Sequence, residues 1–229
     1  VVDPAVRMRE DMEALATAVG RHRGELKAIL FTHSHSDHLA DMSLLREAFD
    51  VPVWGSEHTS LSVKCDRILT DGEVLTLGQQ SWTVLITPGH HPGHVCLFSE
   101  AGLVAGDMLA GIGTILIPPH SGDMKVYIEQ LERLKALKPH LVFPSHGPVV
   151  AVPERLIDHY LKHRRARHAR VLNAVQAGTT ELTNIAAEAY ADTPDAHPGL
   201  AVDQTLSHLL AHEADGAVRQ SNGTWSAVE

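Results

Sequence analysis

The chain is short of several things, and each shortage narrows its chemistry. Cysteine occurs only twice, as Cys65 and Cys96. Two cysteines cannot build a disulfide framework, which fits a reducing compartment and makes the cytoplasm the expected location. Positive charge is in deficit, since 19 Lys and Arg face 28 Asp and Glu for a formal charge of -9. That is a poor match to a chain that coats nucleic acid. Long apolar runs are missing too: stretches such as Ala28–Phe31 and Val84–Ile86 are nowhere near a membrane span. Nothing repeats at a fixed period, no segment is low-complexity, and no charged-then-apolar leader is visible. With 229 residues, 44% hydrophobic and 21% charged, the composition excludes disorder and a fibrous repeat. The length suits one large domain, or one domain with a small appendage.

What the chain has in excess is histidine: 17, against three Trp, three Tyr and four Phe. Histidine is the commonest metal ligand, so its distribution matters more than its number. Val1–Pro4 reads as the end of a strand running into a helix, with Met8, Met12, Leu15 and Val19 at helical spacing until Gly20. An apolar strand over 27–32 ends abruptly in His33-Ser34-His35-Ser36-Asp37-His38. A helix carrying Leu39, Met42, Leu45 and Phe49 follows, then a short strand over 51–54, a hairpin around Asp71-Gly72 and a strand over 82–87. The last ends in Pro88-Gly89-His90-His91-Pro92-Gly93-His94. Strands over 95–98 and 103–105 lead to Gly106-Asp107; a helix through Tyr127, Leu131, Leu134 and Leu137 precedes a strand over 141–143 that ends in Pro144-Ser145-His146. Strands alternating with helices predict a layered α/β fold.

After about residue 152 the texture changes. Pro153 opens a long helix closed by Gly178, and two more helices are centred on Ile185 and Leu206. Asn222-Gly223 is a strong two-residue hairpin signal. Helix, helix, helix, hairpin is the outline of a winged-helix module, so the chain divides in expectation into 1–152 and 153–229.

Polar residues gather at the ends of four strands: His33, His35, Asp37 and His38, then His94, then Asp107, then His146. Loops at strand ends are where such folds bring distant residues together. Five imidazoles and two carboxylates exceed the needs of one tetrahedral ion and suit two borderline ions such as Zn²⁺, with Asp107 between them.

These residues closely resemble those of the metallo-β-lactamase superfamily. Its H-x-H-x-D-H pattern is present at His33, His35, Asp37 and His38, and its later single ligands match His94, Asp107 and His146. The resemblance implies an αββα sandwich in which His33, His35 and His94 hold one metal and Asp37, His38 and His146 the other, with Asp107 bridging. It implies two Zn²⁺, with Mn²⁺ or iron as alternatives, and metal-activated water attacking an ester-like or phosphodiester bond, with Asp37 as the catalytic carboxylate. The tail, including Tyr190-Ala191-Asp192 and His197-Pro198, is similar to the β-lactamase-like protein 2 branch, whose human members cleave single-stranded RNA. A glyoxalase-II-type thioesterase or a lactonase shares the same ligands and is the enzymatic rival; a non-catalytic metal-binding module is the third reading. Two departures stand out: the strands such proteins place before the position of Val1 are absent here, and Ala5 stands where glycine is usual after Asp-Pro.

Blander roles fit the remaining histidines. His90 reads as a loop residue or a support for ligands, His120 as lining a cleft or facing solvent, and His58, His140, His197, His208 and His212 as surface or packing residues. The basic run Lys162, Arg164, Arg165, Arg167, Arg170 reads as a solvated helix face or a homodimer contact before it reads as an RNA contact. Residues 171–218 contain no Lys or Arg. A DNA-recognition helix needs cations for phosphates, so the tail is expected to pack or dimerise instead. The expected partners are therefore a small-molecule or single-stranded RNA substrate and a second copy of the chain, with neither DNA nor membrane.

Overall fold

The computed structural model describes residues 1–22 and 24–228. They divide into two compact units. The first comprises residues 1–87, 92–113 and 139–151. Its helices are α1 (Arg9–Arg21), α2 (Met42–Ala48) and α3 (Glu57–Ser60). Its strands are β1 (Ile29–Leu30), β2 (Val53–Gly55), β3 (Arg67–Ile68), β4 (Val74–Leu77), β5 (Gln80–Ile86), β6 (Val95–Ser99), β7 (Gly102–Gly106) and β8 (Val142–Pro144).

β1, β2 and β3 form a parallel sheet, and β4 to β8 form a five-stranded sheet in sequence order, antiparallel except for the parallel β7–β8 pair. Period-two alternation around β1 builds the layers. Ile29 and Phe31 point to one face, where they meet Met12 of α1 and Leu45 of α2. Leu30 points to the other, where it meets Leu75, Val84, Val95 and Leu97 of the larger sheet. A single residue slip would exchange the two cores, which pins the register.

Two local expectations change. The first helix begins at Arg9 rather than near Pro4, because Asp3 and Ala5 adopt φ of 43° and 52°, outside the helical region. Val2 pairs with Leu30 in a parallel bridge. Asp71-Gly72 forms a turn that leads into β4, and the hairpin itself turns at Gly78-Gln79, with Leu77 opposite Gln80. Gly78, at φ 64°, supplies the left-handed conformation that turn needs.

The second unit comprises residues 88–91, 114–138 and 152–229. It holds α4 (Met124–Ala136), α5 (Pro153–Gln176), α6 (Leu182–Ala189), α7 (Pro198–Ala214) and the antiparallel pair β9 (Val218–Ser221) and β10 (Thr224–Ala227). Pro153 sits in the first turn of α5, and Gly178 at φ 98° ends it. Asn222 and Gly223 at φ 50° and 83° make the tight β9–β10 turn. Val171, Val175, Ile185, Leu209 and Trp225 form the core. None of the helices of the described residues is long and apolar enough to cross a membrane.

The basic run is a solvated face only in part, at Lys162, Arg165 and Arg170. Arg164 and Arg167 are buried, at 1% and 4% exposure. Buried positions Tyr160, Leu161, Arg164, Arg167, Val171 and Ala174 follow one another at helical spacing, so both arginines lie in the buried stripe of α5. Of the exposed members, Arg165 pairs with Glu132 and Arg170 with Asp192. His208 and His212 are buried, as packing residues would be, and His120 is exposed.

Candidate metal centre

β1 ends at Leu30, and His33, His35, Asp37 and His38 follow within the loop and turn after it. His33 and His38 are buried, His35 is half-buried, and Asp37 is exposed. His33 Nε2 lies 3.0 Å from His35 Nδ1, and the His33 and His38 ring centroids are 4.1 Å apart. Asp107 and His146 follow the ends of β7 and β8, neighbouring strands whose parallel pairing brings both side chains to the same edge.

Four atoms converge there. His38 Nε2 lies 3.4 Å from Asp107 Oδ1 and 3.7 Å from Asp37 Oδ2. His146 Nε2 lies 3.4 Å from the same Asp107 oxygen and 3.5 Å from the same Asp37 oxygen. Two overlapping donor groups result: Asp37, His38 and His146, and His33, His38 and Asp107. A cleft of about 400 Å³ opens beside them, lined among others by Asp3, Asp37, His38, Ser145 and His146.

His94 stands outside both groups. Its Nδ1 is 2.8 Å from Thr87 Oγ1, and its Nε2 accepts the Asp107 backbone N–H at 2.9 Å. Its ring centroid is 5.3 Å from that of His33. Gly106 makes this approach feasible, because a Cβ there would lie 2.4 Å from His94 Nε2 and the residue has φ 49°. His90 is buried, with Nδ1 2.7 Å from the Leu116 carbonyl oxygen.

Asp3 is a participant that the sequence reading missed. Its Oδ1 accepts Thr32 N–H at 2.7 Å, and its Oδ2 accepts Thr32 Oγ1–H at 2.7 Å. The same Oδ2 lies 2.9 Å from His38 Nδ1 and accepts Ser145 Oγ–H at 3.2 Å. A carboxylate on Nδ1 turns the Nε2 lone pair of His38 toward the converging oxygens, the usual arrangement behind a metal-binding imidazole. With the Thr32 hydroxyl proton held by Asp3, its oxygen can accept from His33 Nδ1 at 3.0 Å, which leaves His33 Nε2 basic. One signal was available: Asp-Pro directly after an apolar strand end.

The electrostatics ask for a cation. Burial alone would lower the His38 pKa, but the Asp107 and Asp3 carboxylates outweigh it and push it up to about 10. His35 is pushed down, by burial first, against the upward pull of Asp37 and Asp107. Among the described residues His38 Nε2 is buried and makes no hydrogen bond, although it faces two carboxylates. A buried polar atom without a hydrogen bond beside clustered anionic oxygens is what a divalent ion would satisfy. Imidazole and carboxylate donors together suit Zn²⁺ or a similar borderline ion.

Comparison with known proteins agrees with the geometry. The Metallo-beta-lactamase superfamily profile matches residues 1–146. The chain is 30% identical over 224 residues to the Beta-lactamase-like protein 2 homolog of Drosophila melanogaster, covering 90% of this chain and 75% of that one. It is 38% identical over 120 residues to the Hydroxyacylglutathione hydrolase of Yersinia pestis, covering 51% of this chain and 45% of the relative; the match thus spans about half the length of either. A beta-lactamase domain protein from Burkholderia ambifaria has the same fold, at TM-score 0.86 and 21% identity over 99% of this chain and 82% of that one. The profile covers every residue that converges in the cleft, and the chain belongs to the metallo-β-lactamase superfamily.

Proposed function

We propose that the chain is a two-zinc hydrolase of a small ester-like substrate, with an acyl thioester as the leading class. The observation that carries this reading is the convergence of His38, His146, Asp37 and Asp107 around shared oxygen atoms within 3.4 to 3.7 Å. Asp37, His38 and His146 would hold one ion and His33 and His35 the other, with Asp107 shared between them; His94 would complete the second set once its Nε2 releases the Asp107 amide. Such ions, when bound, lower the pKa of water toward ~7 and polarise a carbonyl oxygen.

The chain's own residues do the rest. Asp3 and Thr32 orient the imidazoles of His38 and His33. Asp37, exposed at the cleft, would accept a proton from attacking water. The hydroxyacylglutathione hydrolases among the relatives support a thioester. The buried state of Arg164 and Arg167 weighs against RNA, because the densest cationic stretch of the chain loses its two central charges as phosphate contacts. The three helices and hairpin that follow residue 152 would serve as a packing or dimerisation module of winged-helix outline.

Turnover of a thioester, a lactone, a phosphodiester and a β-lactam by zinc-loaded protein tests the assignment. The thioester should be the best substrate, and Asp37→Ala should lower its turnover at least ~100-fold. Preference for the phosphodiester, or near-normal turnover by the variant, would refute it.

A further inference from the structure

The second unit contains a cavity of about 250 Å³, near the lower end of the roughly 300–1000 Å³ typical of ligand sites. Arg164 and Arg167 line it. Arg164 donates Nη1 to Gln204 Oε1 at 2.8 Å and Nη2 to the Ile115 carbonyl, and lies over the Tyr127 ring at 5.6 Å. All three partners are neutral. Among the described residues no carboxylate pairs with Arg164, and its buried Nε makes no hydrogen bond.

Arg167 donates to the Ala189 carbonyl, to Asp192 Oδ1 at 2.9 Å and to Thr193 Oγ1 at 3.0 Å, and stacks on Tyr190 at 3.7 Å. Its Nε is likewise buried without a hydrogen bond, as is His163 Nδ1 beside the cavity. Asp192 also carries Arg170 at 3.1 Å. Arg167 and Arg170 therefore share one carboxylate, half-exposed at 42%; Arg170 is itself half-exposed to water, and Arg164, the most deeply buried of the three, has no carboxylate among the described residues. A guanidinium cannot shed its proton at any accessible pH, so burial without a counter-ion leaves the charge uncompensated. The field registers on His163, whose pKa is pushed down to about 4, first by burial and then by Arg164 and Arg167.

The remaining wall is apolar, from Ile115, Leu116, Leu200 and Ala201. We propose that this cavity binds a small carboxylate carrying a short apolar tail. The two buried guanidiniums of Arg164 and Arg167 face one carboxylate, so one unit of positive charge beside the cavity matches a monoanion, and the aliphatic wall matches the tail. A phosphate dianion would bring more charge than the cavity lacks.

Titration of the full chain with sodium hexanoate, hexanamide and inorganic phosphate, followed by backbone-amide NMR, tests this. Hexanoate should shift the amides of Thr193, Leu200 and Gln204 saturably, while hexanamide leaves them unmoved. Repeating the titration with and without added zinc separates this site, whose shifts should be the same in both, from a carboxylate caught on the metals. Arg164→Gln should abolish the shifts. Leu200→Trp, at a half-exposed wall position where the fold tolerates bulk, should weaken hexanoate at least ~10-fold with an unchanged circular dichroism spectrum. Equal shifts with hexanamide, tighter saturation by phosphate, no saturable shift with hexanoate, or undiminished binding to folded Leu200→Trp would each overturn the proposal.

Discussion

Asp3 carries more of the candidate centre than its position at the start of the chain suggests. Through one carboxylate it holds Thr32, His38 and Ser145, partners 29, 35 and 142 residues away. Long separations of this kind are why it was not legible in the sequence, whereas His33, His35, Asp37 and His38 were legible as a contiguous cluster. Supports behind metal-binding histidines are typically worth ~10- to 100-fold in affinity. Asp3→Ala should therefore weaken zinc binding by that factor, measured by competition with a chromogenic chelator, while the far-ultraviolet spectrum stays unchanged. Undiminished affinity would show that His38 needs no such support. Ala5 offers a second test at this scale. A left-handed φ costs an L-residue roughly 1–2 kcal/mol, of which glycine's greater freedom in the unfolded chain takes back about 0.4–1 kcal/mol. Ala5 is exposed at φ 52°, so Ala5→Gly should stabilise the protein by up to about 1.5 kcal/mol and raise Tm by up to ~3–6 °C in a thermal melt. A lower Tm would contradict the strain.

At the scale of elements, α5 shows both the reach and the limit of sequence reading. Its start at Pro153 and its end before Gly178 were legible, because backbone chemistry decides them locally. The fate of its arginines was misread, because a run of like charges suggests a wet surface while the 3.6-residue stripe through Tyr160, Leu161 and Val171 places Arg164 and Arg167 inside. The Gly78-Gln79 turn was missed for a similar reason: Asp71-Gly72 is the stronger local signal, and only strand pairing decides between them. The histidines of this helical unit make a prediction about pH. His168 is stacked on His212 with ring centroids 3.5 Å apart, and its Nδ1 lies 3.1 Å from His208 Nδ1. His168 is pushed down to about 4, by burial first and then by His212, and His208 and His212 are lowered by burial foremost. Their folded pKa values lie below the unfolded value near 6.5, so the unfolded chain binds more protons as pH falls. The stability they contribute is thus complete above about pH 6.5 and is lost as pH drops toward 4. Thermal melts across that window should show Tm falling for the wild type and falling less steeply for His168→Gln. Parallel slopes would rule the cluster out as the cause.

For the whole molecule, the layered α/β fold was legible because strand ends and histidines coincide: each loop that stops a strand also carries the candidate ligands. The packing of Leu30 against one sheet and of Ile29 and Phe31 against helices then holds those strand ends in register. What the sequence could not show was which histidines converge. His38 and His146 meet across the two carboxylates, while His94 turns its Nε2 to the Asp107 amide. The central claim is that this arrangement exists to hold two ions that share Asp107, and elemental analysis of purified protein after zinc loading and desalting tests it most directly. The account predicts two zinc ions per wild-type chain and one in folded His146→Ala. One ion or none in the wild type at saturating zinc, or two retained by the variant, would contradict it.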